Sequence, residues 1–297
     1  MIDKLQFFLA LAREQHFGRA ADECGITQPT LSAAIRQLEN ELGVMLVNRG
    51  SRFKGLTPEG QRVLEWARRI VGDARTMKEE MRAAHRGLTG HLRISAIPTA
   101  LSLVPRLTAP FQERHPGVTF SIQSSTSLYI MSQLDNLETD IGITYLDNEP
   151  LGRVVTVPLI EERYYLVTGK RSELADRASV SWKEVAELPL CLLTSDMQNR
   201  RIINKHLAEA GATVVPRLES NSMIVLFTHV LTGKWASIMP LEAANSFGFA
   251  DQVAIIPLVG AQAGHLVGVV ALERDPHTPL VSAMLNAAKA LEFKEPG

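Results

Sequence analysis

Residues 27–42 read Thr27-Gln28-Pro29-Thr30-Leu31-Ser32-Ala33-Ala34-Ile35-Arg36-Gln37-Leu38-Glu39-Asn40-Glu41-Leu42. Four apolar residues recur here at intervals of four, three and four, which places them on one side of an α-helix: Leu31, Ile35, Leu38 and Leu42. Thr27 is a suitable N-cap, and Pro29 is tolerated in a first turn because the N–H that it lacks would have no partner there. We therefore predict a helix that begins after Thr27 and buries its apolar side.

The opposite side of this helix is polar, short-chained and almost free of acid. It carries Gln28, Thr30, Ser32, Ala33 and Arg36. The acidic residues come later, so the N-terminal half can approach phosphates without repulsion, and the helix dipole adds positive potential. Residues 18–26 form a shorter predicted helix that Gly25 ends. Two short helices joined by a glycine-containing turn favour a DNA-binding helix-turn-helix over the alternative, an ordinary packed helix pair.

Several segments in fixed order resemble the N-terminal signature of the LysR-type transcriptional regulators. They are Phe17-Gly18-Arg19-Ala20-Ala21, Thr27-Gln28-Pro29-Thr30-Leu31-Ser32, Ile35-Arg36-Gln37-Leu38-Glu39, Leu42-Gly43-Val44-Met45-Leu46, Arg49 and Leu56-Thr57-Pro58-Glu59-Gly60. Val47 departs from the pattern, since the family usually has Phe there, and this affects packing under the wing. The resemblance implies tetramers that bend promoter DNA, and a C-terminal half built like a periplasmic solute-binding protein and used inside the cell as a sensor.

Length and composition are consistent with such a chain. A chain of 297 residues suits two or three domains. Residues 1–90 contain 14 Lys and Arg against 11 Asp and Glu, and the rest contain 17 against 21, which has the sign expected for a nucleic-acid-binding head. Cys24 and Cys191 lack disulfide or metal spacing, and neither a signal segment nor a membrane-length apolar run is present. We expect a soluble cytoplasmic protein without metal, cofactor or membrane partner.

Residues 44–49 and 53–56 form a predicted hairpin, or wing, joined around Gly50-Ser51. It carries three cations that suit phosphate contact, although a merely solvated hairpin tip is the alternative. The predicted DNA-binding residues are Arg19, Gln28, Pro29, Thr30, Ser32, Ala33 and Arg36 in the major groove and Arg49, Arg52 and Lys54 at the backbone beside it. Gln28 and Arg36 suit base edges, and Thr30 and Ser32 suit phosphates.

Thr57-Pro58 opens a long predicted helix. Its apolar residues form a heptad seam: Val63, Ala67, Ile70, Ala74, Met77, Met81 and Ala84. We interpret the seam as a dimerisation surface, and packing against the chain's own second half is the alternative. The glycines of residues 86–90 mark a hinge, so the predicted domains are 1–58 (winged helix-turn-helix), 59–88 (linker helix) and 89–297 (effector-binding domain).

From residue 91 onward, strand patterns alternate with helix patterns. We predict strands at 92–97, 118–124, 141–145, 164–168, 190–194, 214–219, 236–239, 253–257 and 265–272, and helices at 103–114, 128–137, 200–209, 223–231 and 280–291. This alternation predicts parallel sheets in two lobes that are connected twice, about 91–160 with 266–297 and about 161–265. The fold class is therefore α+β multidomain, with an N-terminal winged helix-turn-helix, a linker helix and a two-lobed α/β domain.

Hydroxyl-rich helix starts follow four of the predicted strands. The candidate effector-binding residues are Thr99, Ala100, Ser102, Ser125, Thr126, Ser127, Tyr145, Thr194, Gln198, Asn199, Arg200 and Ser222. Helix N-termini around one cleft favour a small organic anion, which Arg200 could also engage. The alternative for each hydroxyl is simple helix capping, and for Tyr145 it is packing within a lobe. By resemblance, Thr99, Ser127 and Gln198 match family ligand positions, whereas Pro98 departs from a small residue and could narrow the pocket.

Two other functional classes fit the sequence less well. An enzyme would need a catalytic pair, yet the histidines are scattered and no Gly-x-Ser-x-Gly or Gly-x-x-x-x-Gly-Lys motif occurs. A solute-binding transport component would need export and would have no use for the first 90 residues. We therefore expect a LysR-type regulator, with double-stranded promoter DNA, a small organic anion and further copies of itself as partners, and RNA polymerase as a candidate partner.

Overall fold

A computed structural model of the chain describes residues 1–48, 53–147, 149–248, 251–260 and 264–291, with the Arg86 side chain left aside. The described residues form two compact units. The first comprises Met1–Thr89, Asp135–Glu138 and Arg274–Pro279. The second comprises the described parts of Gly90–Leu134, Thr139–Glu273 and Leu280–Gly297.

The first unit begins with three helices, α1 (Ile2–Glu14), α2 (Phe17–Glu23) and α3 (Gln28–Leu42). The start of α3 confirms the prediction, since the Thr27 hydroxyl accepts the N–H of Thr30 at 3.4 Å and a proline occupies the first turn. Leu31, Ile35 and Leu38 are buried in a core shared with α1 and α2. The prediction for Leu42 is wrong: this side chain is 39% exposed, because the helix ends there and Gly43 turns the chain with φ +68°.

The long helix α4 (Pro58–Arg86) begins at Thr57, whose hydroxyl accepts the N–H of Gly60 at 2.9 Å. Its N-terminal half lies against the core through Ala67 and Val71. Further along, Met77 and Met81 are more than half exposed. The seam is therefore divided, with its first part buried inside the unit and its second part open to solvent.

Only the ends of the predicted wing fall within the described residues. Val47 and Leu56 form an antiparallel bridge, and the N–H of Asn48 donates to the Gly55 carbonyl at 3.0 Å. These contacts are those expected where two hairpin strands diverge from the core. The predicted wing cations Arg49 and Arg52 lie outside the described residues.

The described residues of the second unit form three sheets. The strands are β1 (Gly90–Ala96), β2 (Val118–Ser124), β3 (Ile141–Tyr145), β4 (Val154–Glu162), β5 (Tyr164–Gly169), β6 (Val180–Ser181), β7 (Cys191–Leu193), β8 (Leu218–Ser220), β9 (Ala236–Pro240), β10 (Val253–Val259) and β11 (His265–Leu272). A five-stranded sheet has the order β2-β1-β3-β11-β4, a four-stranded sheet has the order β6-β10-β5-β9, and β7 pairs with β8.

Helices lie between these strands. They are α5 (Val104–Arg114), α6 (Ser127–Asp135), α7 (Trp182–Val185), α8 (Gln198–Glu209), α9 (Met223–Leu231), α10 (Leu241–Ser246) and α11 (Pro279–Lys289), with a short 3-10 helix at Pro98–Leu103. The sequence did not indicate α7, α10 or β6, which are too short to show a period. The strand predicted at 214–219 forms only at Leu218–Ser220.

The prediction of parallel sheets is correct for β1 with its neighbours and for β7 with β8, but wrong for several other pairs. β11 runs antiparallel to both β3 and β4, and β5 runs antiparallel to β9 and β10. The reason is that β4 leads directly into β5 and β10 leads back to β11, so the two sheets are joined without a helical crossover. β4 was not predicted from the sequence because it contains Pro158, and proline is usually confined to the ends of strands or to edge strands.

Candidate functional site

The side of α3 predicted to face DNA is open to solvent. Gln28, Pro29, Thr30, Ala33 and Arg36 are exposed, and Ser32 is half-buried. The opposite side supplies three fully packed apolar side chains to the core, so the orientation of the helix about its axis is fixed. The structure therefore brings the predicted α3 residues together on one accessible surface, although their contact with DNA stays a prediction.

Glu39 fixes the segment that follows α3. Its side chain is 6% exposed, and its Oε1 accepts the backbone N–H groups of Leu46 at 2.8 Å and Val47 at 3.3 Å. These bonds satisfy two buried donors and set the direction in which the chain enters the wing. The sequence does not reveal this role, because a glutamate at this position of an amphipathic helix usually lies in solvent.

The remaining predicted DNA-binding cations have different surroundings. Arg19 is 62% exposed at its side chain, and it donates from Nε to the Glu14 carboxylate at 3.0 Å and from Nη2 to the Glu14 carbonyl at 2.6 Å. Lys54 is exposed. Arg19 is thus held on the surface by α1, and a phosphate would have to compete with Glu14 for it.

A cavity of about 590 Å³ lies in the second unit. It is lined by Pro98, Thr99, Leu101, Ser102, Pro105, Ser124, Met197, Asn221, Ser222, Met223, Ile224, Ala243, Ser246 and Phe247. Of the predicted effector-binding residues, it includes Thr99, Ser102 and Ser222. Its volume falls in the range of small-molecule sites. The apolar wall residues Met197, Met223 and Phe247 gave no sequence signal, since each reads as an ordinary core residue.

The start of α8 is placed differently from the prediction. The Arg200 guanidinium is buried, where Nη1 donates to the Leu193 carbonyl at 2.8 Å and to Glu219 at 2.7 Å, and Nε donates to Asn204 at 2.9 Å. The structure therefore does not bring Arg200 to the cavity, because its donors hold β7 and β8 against α8. Gln198 is likewise turned toward the Asp147 carbonyl, to which its amide donates at 3.2 Å.

The other predicted hydroxyls do not line this cavity in the described part of the chain. The Ser127 hydroxyl donates to Glu149 at 3.3 Å, and Thr126 caps α6 by accepting the N–H of Tyr129 at 3.1 Å. Ala100 and Ser125 are buried. Thr194 is half-buried, and its N–H donates to the Ser220 carbonyl at 3.2 Å. Thr126 therefore acts as a helix cap, which was the alternative that the sequence left open.

Tyr145 belongs to a buried polar cluster where the chain passes between the two larger sheets. Its hydroxyl donates to Glu162 at 2.7 Å, lies 3.0 Å from the Tyr164 hydroxyl and accepts from the Asn199 amide at 3.4 Å. Burial raises the pKa of Glu162 to about 7, and hydrogen bonds from Tyr145 and Thr99 oppose that rise. The packed alternative for Tyr145 is therefore favoured, and Thr99 connects this cluster to the cavity.

Two classes of feature are absent from the described residues. No group of three or more His, Cys, Asp or Glu side chains there is arranged to hold a metal ion. No helix in the same residues has the length and apolarity needed to cross a membrane.

Comparison with known proteins covers nearly the whole chain. Residues 2–61 match the family model of the bacterial regulatory helix-turn-helix proteins of the lysR family, and residues 85–291 match the model of the LysR substrate binding domain. The chain is 29% identical over 297 residues to the DNA-binding transcriptional dual regulator OxyR of Escherichia coli K12, covering 100% of this chain and 96% of that protein. It is 25% identical over 260 residues to the HTH-type transcriptional activator CmpR of Synechocystis, covering 87% and 85%.

Two solved structures also match the chain over nearly its whole length. A full-length OxyR variant from Pseudomonas aeruginosa has a TM-score of 0.76 at 26% identity, covering 98% of this chain and 95% of that one. Full-length CbnR in complex with its target DNA has a TM-score of 0.61 at 20% identity, covering 98% and 100%, which shows the fold alone.

Proposed function

Because this chain belongs to the LysR family of transcriptional regulators, which are DNA-binding proteins and not enzymes, we propose that its α3 surface reads promoter DNA under the control of a small-molecule effector in the cavity. The observation that carries the proposal is the exposure of Gln28 and Arg36, with the half-buried Ser32 between them, on one side of a helix whose other side is fully packed. A glutamine and an arginine on such a surface can each make paired hydrogen bonds to base edges in the major groove. The site of action is the cytoplasm, where promoter DNA is found.

Association of several copies is part of the proposal. Trp66, Ile70, Met77 and Met81 of α4 are between 39% and 60% exposed and recur at intervals of four, seven and four. An exposed apolar stripe at this spacing suits a second helix of the same kind. Two dimers would form a tetramer that contacts two related half-sites, and RNA polymerase is the candidate partner beside them.

The two cysteines do not favour sensing by thiol oxidation. Several relatives are named hydrogen peroxide-inducible genes activators, and a peroxide-reactive cysteine requires an accessible thiol with a lowered pKa. Burial instead raises the pKa of the Cys191 thiol to about 11, and it also raises the pKa of the Cys24 thiol. Reversible binding in the cavity is therefore the mode of control that we propose.

The charge of the effector stays a prediction. The sequence predicted a small organic anion, to be held by helix N-termini and by Arg200. In support of an anion, the first residues of α9, Met223 and Ile224, line the cavity, and the start of a helix favours negative charge. Arg200 itself gives no support, because its guanidinium is bound to Leu193 and Glu219.

An electrophoretic mobility shift with the DNA flanking the chain's own gene tests the proposal. We expect a retarded complex that an excess of unrelated duplex does not compete away, since specific binding exceeds non-specific binding by about 10³-fold or more. Equal competition by both duplexes would contradict sequence-specific regulation and would leave only a two-lobed binding protein.

A further inference from the structure

The cavity has no charged side chain among the described residues that line it. Its polar side chains are five hydroxyls and one amide: Thr99, Ser102, Ser124, Ser222, Ser246 and Asn221. Its other walls are apolar and include two methionines, whose flexible side chains adapt to different shapes. A carboxylate moved from water into such a cavity would lose its hydration without gaining a cationic partner.

Both arginines of α8 are already engaged. Arg200 donates to Leu193, Glu219 and Asn204, as described above. Arg201 donates from Nε to Glu149 at 3.0 Å and from Nη1 to the Asp196 carbonyl at 2.6 Å. Either guanidinium would have to leave a carboxylate and a carbonyl to reach a ligand, which would expose new unpaired groups in exchange.

A buried acid contacts one residue of the cavity wall. Thr99, which is 2% exposed, lines the cavity and also interacts with the carboxyl group of Glu162. A bound anion at this end would therefore lie one side chain away from a buried carboxyl, and like charges in a region of low polarity disfavour each other. An uncharged ligand avoids this cost.

The same end of the cavity is well suited to a neutral polar group. Ser102 Oγ is buried and has no hydrogen-bond partner among the described residues. Thr99 Oγ1 is also buried, and although it lies beside the Glu162 carboxyl, it makes no well-aligned hydrogen bond within those residues, so it can still bond to a ligand. A hydroxyl can both donate and accept, so it can bond to either side of an amide, an alcohol or a ketone. Buried groups of this kind are normally satisfied, by water or by a ligand.

We propose that the cavity takes an uncharged, largely apolar small molecule whose single hydroxyl, carbonyl or amide group hydrogen-bonds to Thr99 and Ser102. This inference rests on the proposed function, in which the cavity is the effector site. It replaces the anion of the sequence analysis with a neutral ligand of similar size. Selectivity would come from shape along the methionine and phenylalanine walls and from the hydroxyl pair at one end.

Calorimetric titration of the full chain with matched probes tests the inference. The probes are 2-naphthamide and 4-phenylbutanamide, each compared with the carboxylate of the same skeleton. We expect each amide to bind at least about tenfold more tightly than its carboxylate at neutral pH. Thr99→Val keeps the side-chain shape and should weaken amide binding about tenfold, whereas Ser195→Ala, an exposed position that does not line the cavity, should change nothing.

A cavity-filling variant separates failure of this inference from failure of the proposed site. Ser246 is exposed at the rim, so Ser246→Trp should block the cavity while sparing the core, and should abolish binding of every probe. If the carboxylates bind more tightly than the amides and Ser246→Trp abolishes that binding, the neutral ligand is overturned, but the cavity is retained as the effector site. Absence of amide binding at millimolar concentration would also overturn the neutral ligand, and binding that survives Ser246→Trp would contradict the cavity as the site.

Discussion

Glu39 and Glu162 are two buried carboxyl groups with opposite effects on stability. Glu39 accepts two backbone N–H groups that would otherwise be unpaired, so it stabilises the segment after α3. Glu162 lies in a fully buried cluster whose hydrogen bonds only partly offset the cost of its charge. Both residues therefore affect the folded state strongly, although neither lines the cavity or lies on the α3 surface.

Replacement of Glu39 tests its positioning role. Glu39→Ala should lower the free energy of unfolding by roughly 2–4 kcal/mol, because two buried donors lose their acceptor. Urea unfolding followed by circular dichroism measures the change. Asn40→Ala, at the exposed neighbouring position, is the control and should stay within about 0.5 kcal/mol of the wild type. A loss in Glu39→Ala no larger than in the control would remove Glu39 from this role.

Glu162 makes the free energy of unfolding depend on pH. Its pKa is about 7 in the folded state and near the ordinary value of 4.5 when unfolded, so the folded state binds more protons between these values. Stability from this group is therefore present at low pH and is lost as the pH rises toward 7.

Between pH 5.5 and pH 7.5, ionisation of Glu162 should lower the free energy of unfolding of the wild type by about 2 kcal/mol. We expect Glu162→Gln to lack this decrease. Urea unfolding of both proteins at the two pH values measures the difference. Parallel pH profiles for the variant and the wild type would show that Glu162 has an ordinary pKa.

At the scale of elements, the two halves of α4 have different surroundings. Its first turns contribute Ala67 and Val71 to the core of the first unit, which fixes the helix against α1. Beyond them, Met77 and Met81 are more than half exposed, and they continue the stripe that includes Trp66 and Ile70. The division explains how one heptad pattern can provide both packing inside the unit and the proposed association between chains.

Charges placed on the exposed stripe should separate the chains. Met77→Lys combined with Met81→Lys should lower the assembly state by at least half at micromolar concentration, because burying two ammonium groups in an apolar helix pair is unfavourable. Sedimentation velocity measures the assembly state. Glu65→Lys, exposed on the same helix but off the stripe, is the control. An unchanged sedimentation coefficient in the double variant would exclude this stripe as the dimer contact.

At the scale of the whole molecule, the sequence predicted most of the elements and some of the site. The helices of the first unit and strands such as β2, β3 and β11 were predictable because their apolar periods and capping residues are local signals. The antiparallel return through β4 and β11 was not, since strand direction depends on which distant segments pair. The sequence also could not show that Arg200 binds Glu219 and the Leu193 carbonyl, because those partners are fixed only when β7 and β8 come together.

The residues that line the cavity were also only partly predictable from the sequence. Thr99, Ser102 and Ser222 were predictable as hydroxyls at helix starts after strands, which is a local pattern. Met197, Met223 and Phe247 were not, because an apolar side chain that faces a cavity and one that faces a core have the same sequence signature. Polar positions of a site are thus more visible in a sequence than the apolar walls that determine its shape.

DNA recognition by the α3 surface is the central proposal, and the ratio of the affinities for two duplexes tests it most directly. Fluorescence anisotropy of the full chain compares DNA flanking its own gene with a random duplex of equal length. In Gln28→Ala/Arg36→Ala the ratio should fall by at least about thirtyfold, since each base contact contributes about 1–3 kcal/mol of discrimination. Gln112→Ala/Arg171→Ala, which removes the same side-chain types from exposed positions of the second unit, should keep the ratio of the wild type. An unchanged ratio in the α3 double variant would contradict the account.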